Sequence, residues 1–305
     1  MDNLVYIISG PTAVGKSAVA IELAKLINGE IVNCDSVQLY KGMDIGSAKP
    51  SLEEMSTVPH HLFSIVDPDY NMTVATYKKL ATAAINDILK RGKTPIVVGG
   101  TGLYLNSVLY DMDFAGSVDD GTRRKELEEM AERLGAEYMH NYLSGIDPES
   151  AERIHPNNIR KVIRAIEAFE LGDGIKDLKS CEINPNYYFR FVALNMDRDW
   201  LYDRINRRVL DLIKNGLIDE VKGLMDKGYT LDNSSMRSIG YKEIISYLNG
   251  ECDIKEAVEE IMKNSRHYAK RQITWLKRYE FLYCVDIKKG DTVRDIITRI
   301  ANAYR

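Results

Sequence analysis

A glycine-rich loop near the amino terminus constrains the fold of this chain more than any other feature. The loop fits the pattern G-x-x-x-x-G-K-S/T, and its residues are Gly10, Pro11, Thr12, Ala13, Val14, Gly15, Lys16 and Ser17. The apolar run Leu4 to Ile8 precedes it, and residues 16–27 follow it with apolar side chains at helical spacing. This order of strand, loop and helix predicts a site where backbone N–H groups and a helix N-terminus bind phosphate oxygens.

Two side chains at the end of the loop add to the predicted phosphate site. Lys16 would bring a positive charge to the terminal phosphate, and the Ser17 hydroxyl would be a ligand for Mg²⁺. The pattern therefore predicts that a diphosphate or a triphosphate binds here with Mg²⁺, and it does not distinguish between them.

Strand and helix patterns alternate through roughly the first hundred residues. Residues 30–34 and 94–98 are short runs typical of buried parallel strands, and residues 76–90 have the pattern of an amphipathic helix. The alternation predicts a parallel sheet that is covered by helices.

The pattern changes near residue 111. A loop-like stretch, residues 111–121, leads into helical patterns over residues 123–134, 138–143, 150–154 and 157–171, and a glycine- and aspartate-bearing stretch, residues 172–185, closes this region. Strand patterns return at residues 188–194 and 281–285. We therefore predict an α/β protein with a P-loop NTPase-like parallel-sheet core, residues 1–111 and 187–305, and an inserted all-helical domain, residues 112–186.

Composition excludes several classes of protein. The four cysteines are far apart and lack the spacing of a zinc site, which favours reduced thiols. The apolar start is too short for a signal peptide, and no apolar stretch reaches the length of a membrane span. We expect a cytoplasmic protein without membrane contact, with a monomer as the default assembly.

An aspartate follows the second predicted strand. Hydrolytic P-loop enzymes usually hold Mg²⁺ with an acidic residue at a strand end, but the third strand runs into Gly99, Gly100 and Thr101. Asp35 instead ends the second strand, and strand carboxyl ends face the ligand crevice in open α/β sheets. Two roles stay open for Asp35: a general base beside a phosphorylated substrate, or a helix cap together with Ser36.

Five stretches spread over the chain carry a family resemblance. Besides residues 10–17, they are DSVQLYKGMDIGSAKP (residues 35–50), VGGTGLY (98–104), RSIGYKE (237–243) and KRQITWLKR (270–278). In these stretches the chain resembles the tRNA dimethylallyltransferases, also called tRNA isopentenyltransferases, of the bacterial type. The resemblance implies transfer of a dimethylallyl group from dimethylallyl diphosphate to N6 of the adenosine 3′ to the anticodon, position 37 of tRNA. The products would be N6-isopentenyladenosine and diphosphate, and the phosphate loop would hold the diphosphate leaving group.

The resemblance also implies catalytic roles for three residues. Asp35 would accept the N6 proton as the new bond forms, an effect worth roughly 10²–10⁴-fold in rate. Arg208 would stabilise the charge on the leaving diphosphate, although the neighbouring Arg204 and Arg207 leave the register open. Thr101 would contact the substrate adenosine, and a helix cap is its alternative role.

A larger set of residues is implied to bind the tRNA anticodon stem-loop. The flipped target base would lie at residues 35–38, with the Gln38 amide reading its edge. The set comprises Asp35, Ser36, Val37, Gln38, Thr101, Arg124, Arg160, Lys161, Val162, Ile163, Arg164, Arg237, Ser238, Ile239, Gly240, Tyr241 and Lys242. The family often has Gln-Arg where this chain has Arg160-Lys161, which keeps the positive charge and lacks the amide.

Local charge reconciles a formal net charge of -4 with a polyanionic partner. Residues 263–278 contain no carboxylate, and their basic residues are Lys263, Arg266, Lys270, Arg271, Lys277 and Arg278. Such a run is either a solvated helix face or a surface for RNA phosphates. Phosphate contacts would make binding steeply dependent on salt.

Other functions stay open at this point. A small-molecule P-loop kinase would share the loop and the position of Asp35. A relative that prenylates free adenine nucleotides would share the reaction but not the tRNA. An RNA-binding module without enzymatic activity would not need Lys16, Ser17 and Asp35 together.

Overall fold

Six parallel strands form the sheet at the centre of the fold. The computed structural model describes residues 3–112, 122–170 and 181–304. The strands are β1 (Leu4–Ser9), β2 (Gly29–Asn33), β3 (His60–His61), β4 (Thr94–Val98), β5 (Tyr188–Met196) and β6 (Tyr283–Ile287). Their order is β3-β2-β4-β1-β5-β6, and each neighbouring pair is parallel, so β1 lies between β4 and β5.

The chain divides into two units, the first running up to Leu109 and from Asn184 onward, and the second spanning Tyr110–Ile183. The helices of the first unit are α1 (Lys16–Ile27), α2 (Leu52–Thr57), α3 (Val74–Lys90), α4 (Gly102–Leu109), α8 (Arg198–Lys214), α9 (Leu217–Asp226), α10 (Tyr241–Leu248), α11 (Ile254–Leu276) and α12 (Val293–Ala303). Those of the second unit are α5 (Thr122–Ile146), α6 (Pro148–Arg153) and α7 (Ile159–Glu170).

Apolar side chains from the sheet and its helices make the core of the first unit. Ile8 of β1 and Ile96 of β4 are fully buried and pack in one cluster with Val19 and Leu23 of α1. Continuous apolar runs are required in these strands because helices cover a parallel sheet on both faces. A second cluster, around Tyr241, packs α8 to α11 together with residues 40–45.

The second unit has its own small core. A residue with positive φ, Gly135 (84°), breaks α5 into two helical segments. Buried residues of α5 and α7 pack on each other, among them Leu127, Met139 and Ile166. No helix in the described part of the chain is long and apolar enough to cross a membrane.

The predicted fold class is confirmed, since the sheet is parallel and helices surround it. The bounds predicted for α1 and β4 match the structure, whereas β6 begins two residues later than predicted. Its predicted start, Phe281, instead packs against Phe191 and Tyr279. The two-residue strand β3 carries too little pattern to be predicted. Two ranges of the prediction lie outside the described residues. They are residues 113–121 of the first loop-like stretch, and residues 171–180, which include the end of the last predicted insertion helix and part of the stretch that follows it.

Candidate functional site: a phosphate loop beside a carboxylate

The loop between β1 and α1 adopts a backbone that its glycines permit. Gly10 has a φ of 146° and Gly15 a φ of 105°, which residues with a Cβ rarely adopt. A Cβ on Gly10 would lie 2.5 Å from the carbonyl oxygen of Leu194. Gly15 is the N-cap of α1 and has no side chain to accept the first N–H groups, which leaves them for an anionic ligand.

Lys16 begins α1 and reaches back over the loop. Its Nζ donates hydrogen bonds to the carbonyl oxygens of Gly10 at 3.0 Å and Pro11 at 2.9 Å. Burial lowers the pKa of Lys16 to about 8, while the nearby Asp35 opposes this shift and Arg208 adds to it. Near neutral pH the ammonium is therefore mostly charged, which is the form that attracts a phosphate.

The carboxyl ends of β2, β4 and β1 bring three loops together. The N–H of Cys34 donates to the carbonyl of Val98 at 2.8 Å, and the N–H of Gly99 donates to the carbonyl of Ile8 at 3.2 Å. A Cβ on Gly99 would lie only 2.0 Å from the Cys34 carbonyl oxygen. This close approach requires glycine at position 99, and it holds the loops after β2 and β4 beside the phosphate loop.

Asp35 lies half-buried where the chain leaves β2. Its Oδ1 accepts the N–H of Val37 at 2.9 Å and, more weakly, the N–H of Gln38 at 3.4 Å. Within the described ranges, no group donates to Oδ2. One oxygen therefore shapes a turn, and the other is available to accept a proton. Burial raises the pKa of the adjacent Cys34 thiol to about 12, so this thiol stays protonated.

Thr101 contacts the segment after Asp35. The N–H of Ser36 donates to Thr101 Oγ1 at 3.1 Å, and the Thr101 hydroxyl donates to Ser36 Oγ at 3.4 Å. The Thr101 carbonyl accepts the N–H of Leu105 at 3.0 Å, so α4 begins from this residue. The backbone thus starts the helix, while the side chain connects the loop after β4 to the loop after β2.

Two arginines one turn apart on α8 approach the same region. Arg204 Nε donates to the Ala13 carbonyl in the phosphate loop at 2.9 Å. Burial lowers the pKa of Arg208, and the negative charge of Asp35 opposes this shift. Arg207 is exposed. Of the three arginines, Arg208 is therefore the least exposed, and its charge interacts with that of Asp35.

Two adjoining cavities meet at Asp35. The larger, of about 500 Å³, is lined by the phosphate loop, Arg204 and Arg207. The smaller, of about 320 Å³, is lined by the segment Arg237–Gly240 and by apolar side chains of α8 and α11. Asp35 and Arg208 line both cavities. A phosphate group and a base can therefore approach one carboxylate from two sides.

Two side chains of α11 belong to this site and were missed by the sequence-based prediction. Tyr268 lines both cavities, and burial raises its pKa, with the charge of Asp35 adding to the shift, so its phenol stays protonated. Gln272 hydrogen-bonds to Thr12 and Gly100. Gln272 occupies the buried, otherwise apolar face of its helix, and a polar residue at such a position is the signal that could have revealed it.

A carboxylate on α9 fixes the backbone of residues 44–46, next to the cavities. Glu220 accepts the backbone N–H groups of Asp44 (2.8 Å), Ile45 (2.7 Å) and Gly46 (3.0 Å). The Gln38 amide donates to the carbonyl oxygen of Ser47 at 3.0 Å. Gln38 thus uses its N–H₂ group within the protein, and edge reading of a base by its oxygen stays a prediction.

Only part of the predicted tRNA-binding segment 237–242 lines the site. Arg237, Ser238, Ile239 and Gly240 line the smaller cavity. Tyr241, in contrast, is fully buried, and its hydroxyl donates to Glu220 at 2.7 Å. The prediction that the Tyr241 side chain contacts tRNA is therefore corrected: this side chain holds Glu220 in place instead. Lys242 lies 3.5 Å from the carboxylate of Glu243.

The predicted tRNA-binding residues of the second unit also differ in accessibility. All four basic residues are exposed, and two of them, Arg124 and Arg164, also pair with the buried Glu167 at 2.7 and 3.4 Å. The remaining two members lie in the core of this unit and are buried, Val162 at 0% and Ile163 at 4% exposure. The prediction that these two apolar side chains contact tRNA directly is therefore corrected, because the packing of α7 on α5 encloses them.

The predicted basic surface lies on α11 and the turn that follows it. Arg266 is half-buried and donates to Asn206 at 2.6 Å. The other basic side chains of residues 263–278 are exposed, and they are Lys263, Lys270, Arg271, Lys277 and Arg278.

Fold and site together define a P-loop-like α/β protein that can hold phosphate groups beside a carboxylate. The family model for IPP transferase matches residues 38–279, and the model for isopentenyl transferase matches residues 3–67. The chain belongs to the IPP transferase family.

Relatives in sequence and structure match nearly the whole of this chain. The tRNA dimethylallyltransferase of Alkaliphilus oremlandii (strain OhILAs) is 47% identical over 307 residues, covering 100% of this chain and 98% of that protein. The tRNA isopentenylpyrophosphate transferase of Bacillus halodurans has a TM-score of 0.74 at 43% identity, covering 99% and 96%. A eukaryotic dimethylallyltransferase acting on tRNA has a TM-score of 0.84 at 30% identity, covering 98% of this chain and 78% of its own.

Proposed function

We propose that the protein transfers the dimethylallyl group of dimethylallyl diphosphate to N6 of the adenosine at position 37 of tRNA. The observation that carries this proposal is that two cavities meet at Asp35. The phosphate loop lines one of them, and Ser36, Val37 and residues 237–240 line the other. The names of the relatives in sequence and structure support this reaction. A tRNA substrate also favours a cytoplasmic site of action.

The phosphate loop would hold the diphosphate end of the donor. The first N–H groups of α1, the Lys16 ammonium and the Arg208 guanidinium all converge on the larger cavity. As the C1–O bond of the dimethylallyl group breaks, its electron pair leaves with the diphosphate. Positive groups fixed in a buried site stabilise this charge without reorganising, which favours the transition state.

Asp35 would act on the acceptor. The N6 amine of adenine is a weak nucleophile because its lone pair is delocalised into the ring. As N6 attacks C1 of the donor, the N6 proton passes to the free Oδ2 of Asp35, and the amine remains neutral. Oδ1 keeps the backbone turn to Val37 and Gln38, so the carboxylate is held in place during the transfer.

The residues present fit a Mg²⁺ ion. Ser17, which lines the larger cavity beside Lys16, offers a hydroxyl oxygen. In the described part of the chain no group of His, Cys, Asp or Glu residues forms a complete metal site, and Mg²⁺ is usually held by few protein oxygens together with substrate phosphates. When bound, the ion would neutralise charge on the diphosphate.

Exposed basic residues would bind the tRNA backbone. Arg160 and Lys161 in the second unit and Lys270 on α11 have accessible side chains. Such residues neutralise phosphates and release counterions, so affinity should fall steeply as salt rises.

The test is a transfer assay with radiolabelled dimethylallyl diphosphate, Mg²⁺ and unmodified tRNA, run beside AMP and ATP as acceptors. Label in tRNA alone is the expected result. Label in AMP or ATP would favour a free-nucleotide acceptor instead. Label in none of the acceptors would contradict the proposed function.

A further inference from the structure

One side chain joins the phosphate loop to the loop that carries Thr101. Gln272 is only 6% exposed and uses both ends of its amide. Its Oε1 accepts the N–H of Thr12 at 2.8 Å, and its Nε2 donates to the Gly100 carbonyl at 3.0 Å. These partners are 260 and 172 residues away in sequence, so the amide connects segments that no local structure holds together.

The fit around this amide is tight. A Cβ on Gly100 would lie 2.1 Å from Gln272 Nε2 and 3.2 Å from the Gly10 carbonyl oxygen. Gly100 therefore lies between the phosphate loop and α11, and the next residue, Thr101, is fixed with it. Thr101 in turn accepts the N–H of Ser36 at 3.1 Å, beside Asp35.

We propose that Gln272 is a positioning residue that sets the distance between the bound diphosphate and the acceptor adenosine. This inference rests on the proposed function, in which the phosphate loop holds the donor and the Thr101 segment holds the acceptor. Gln272 lines the larger cavity, and both of its amide hydrogen bonds go to the two loops rather than into that cavity. A misplacement of about 1 Å between reacting groups can cost on the order of 10²-fold in rate.

The geometry predicts a loss of turnover without a matching loss of binding. Gln272→Met keeps the length of the side chain and removes both hydrogen bonds. We expect kcat to fall by roughly 10- to 100-fold, while the Kd values for diphosphate and for tRNA each change by less than about threefold. Gln272→Glu is the second variant, because it keeps an acceptor for Thr12 and loses the donor to Gly100; it should also lower kcat.

Asn86→Leu is the matched control. Asn86 Oδ1 accepts the Tyr187 hydroxyl at 2.8 Å, so this amide also joins distant segments of the first unit, but it does not line either cavity. The control should lower the melting temperature and leave kcat unchanged. If Gln272→Met and Gln272→Glu behave like this control, the inference is wrong.

A double-mutant cycle tests whether Gln272 acts through the Thr101 segment. Thr101→Ala should lower kcat in the wild-type background and add little in the Gln272→Met background, because the segment is already misplaced there. Full additivity of the two effects would overturn the inference even if each variant is slow. If the wild-type protein transfers no label, both the proposed function and this inference are contradicted. If the wild-type protein is active and the Gln272 variants are unaffected, only the inference is contradicted.

Discussion

Replacing Asp35 with asparagine separates the two functions of this carboxylate. Asp35→Asn keeps an oxygen that can accept the N–H groups of Val37 and Gln38, so the turn after β2 should persist. It removes the oxygen that would accept the N6 proton. Loss of a general base costs roughly 10²–10⁴-fold in rate, or about 3–5 kcal/mol in the activation free energy.

The assay is single-turnover transfer of label to tRNA at pH 7, with both substrates saturating. This pH lies below the pKa of Lys16, about 8, so the lysine stays mostly charged in wild type. The tRNA Kd, measured by filter binding, should change by less than about twofold, because only one side-chain atom differs. Asp35→Ala, which also loses the turn, should weaken tRNA binding as well. Near-normal turnover of Asp35→Asn would refute the assignment of Asp35 as the base.

Three further predictions concern charge and packing. As the pH rises through about 8, Lys16 loses its charge, so calorimetry should show that the affinity for diphosphate falls. Lys16→Arg should remove this pH dependence. An affinity that does not change with pH in the wild-type protein would contradict the lowered pKa. Gly99→Ala should destabilise the fold by about 1–3 kcal/mol in urea denaturation because its Cβ meets a backbone carbonyl. Gly223 lies in α9 with open space around it, so Gly223→Ala should raise the free energy of unfolding by about 0.5–1 kcal/mol. Equal effects of Gly99→Ala and Gly223→Ala on stability would be inconsistent with the packing. Lys270→Ala should weaken tRNA binding and reduce the salt slope by about 1, whereas Lys25→Ala, paired with Glu22, should change neither; an unchanged slope for Lys270→Ala would exclude a phosphate contact.

Local features of the site could be predicted from the sequence. The phosphate loop is contiguous, and its glycines have the positive φ values that the pattern requires. Asp35 and Thr101 lie in the loops that follow β2 and β4, and the carboxyl ends of parallel strands meet at one edge of a sheet. For these residues, strand ends and sheet topology suffice to predict proximity.

Contacts between distant segments could not be predicted in the same way. The bonds from Gln272 to Thr12 and from Arg204 to Ala13 join residues that are 260 and 191 positions apart. Helical periodicity gives the face on which such a residue lies but not the loop it meets. Val162 and Ile163 illustrate the converse error, because apolar residues within a basic stretch belong to the core of their own unit rather than to its surface.

The most direct test of the central claim is nucleoside mass spectrometry of tRNA treated with the protein, dimethylallyl diphosphate and Mg²⁺. Two substrates are compared: an unmodified tRNA with adenosine at position 37, and the same tRNA with guanosine there. We expect one isopentenyl group on the N6 atom of the adenosine in the first tRNA and no modification of the second. Isopentenylation of both tRNAs, or of neither, would contradict the account.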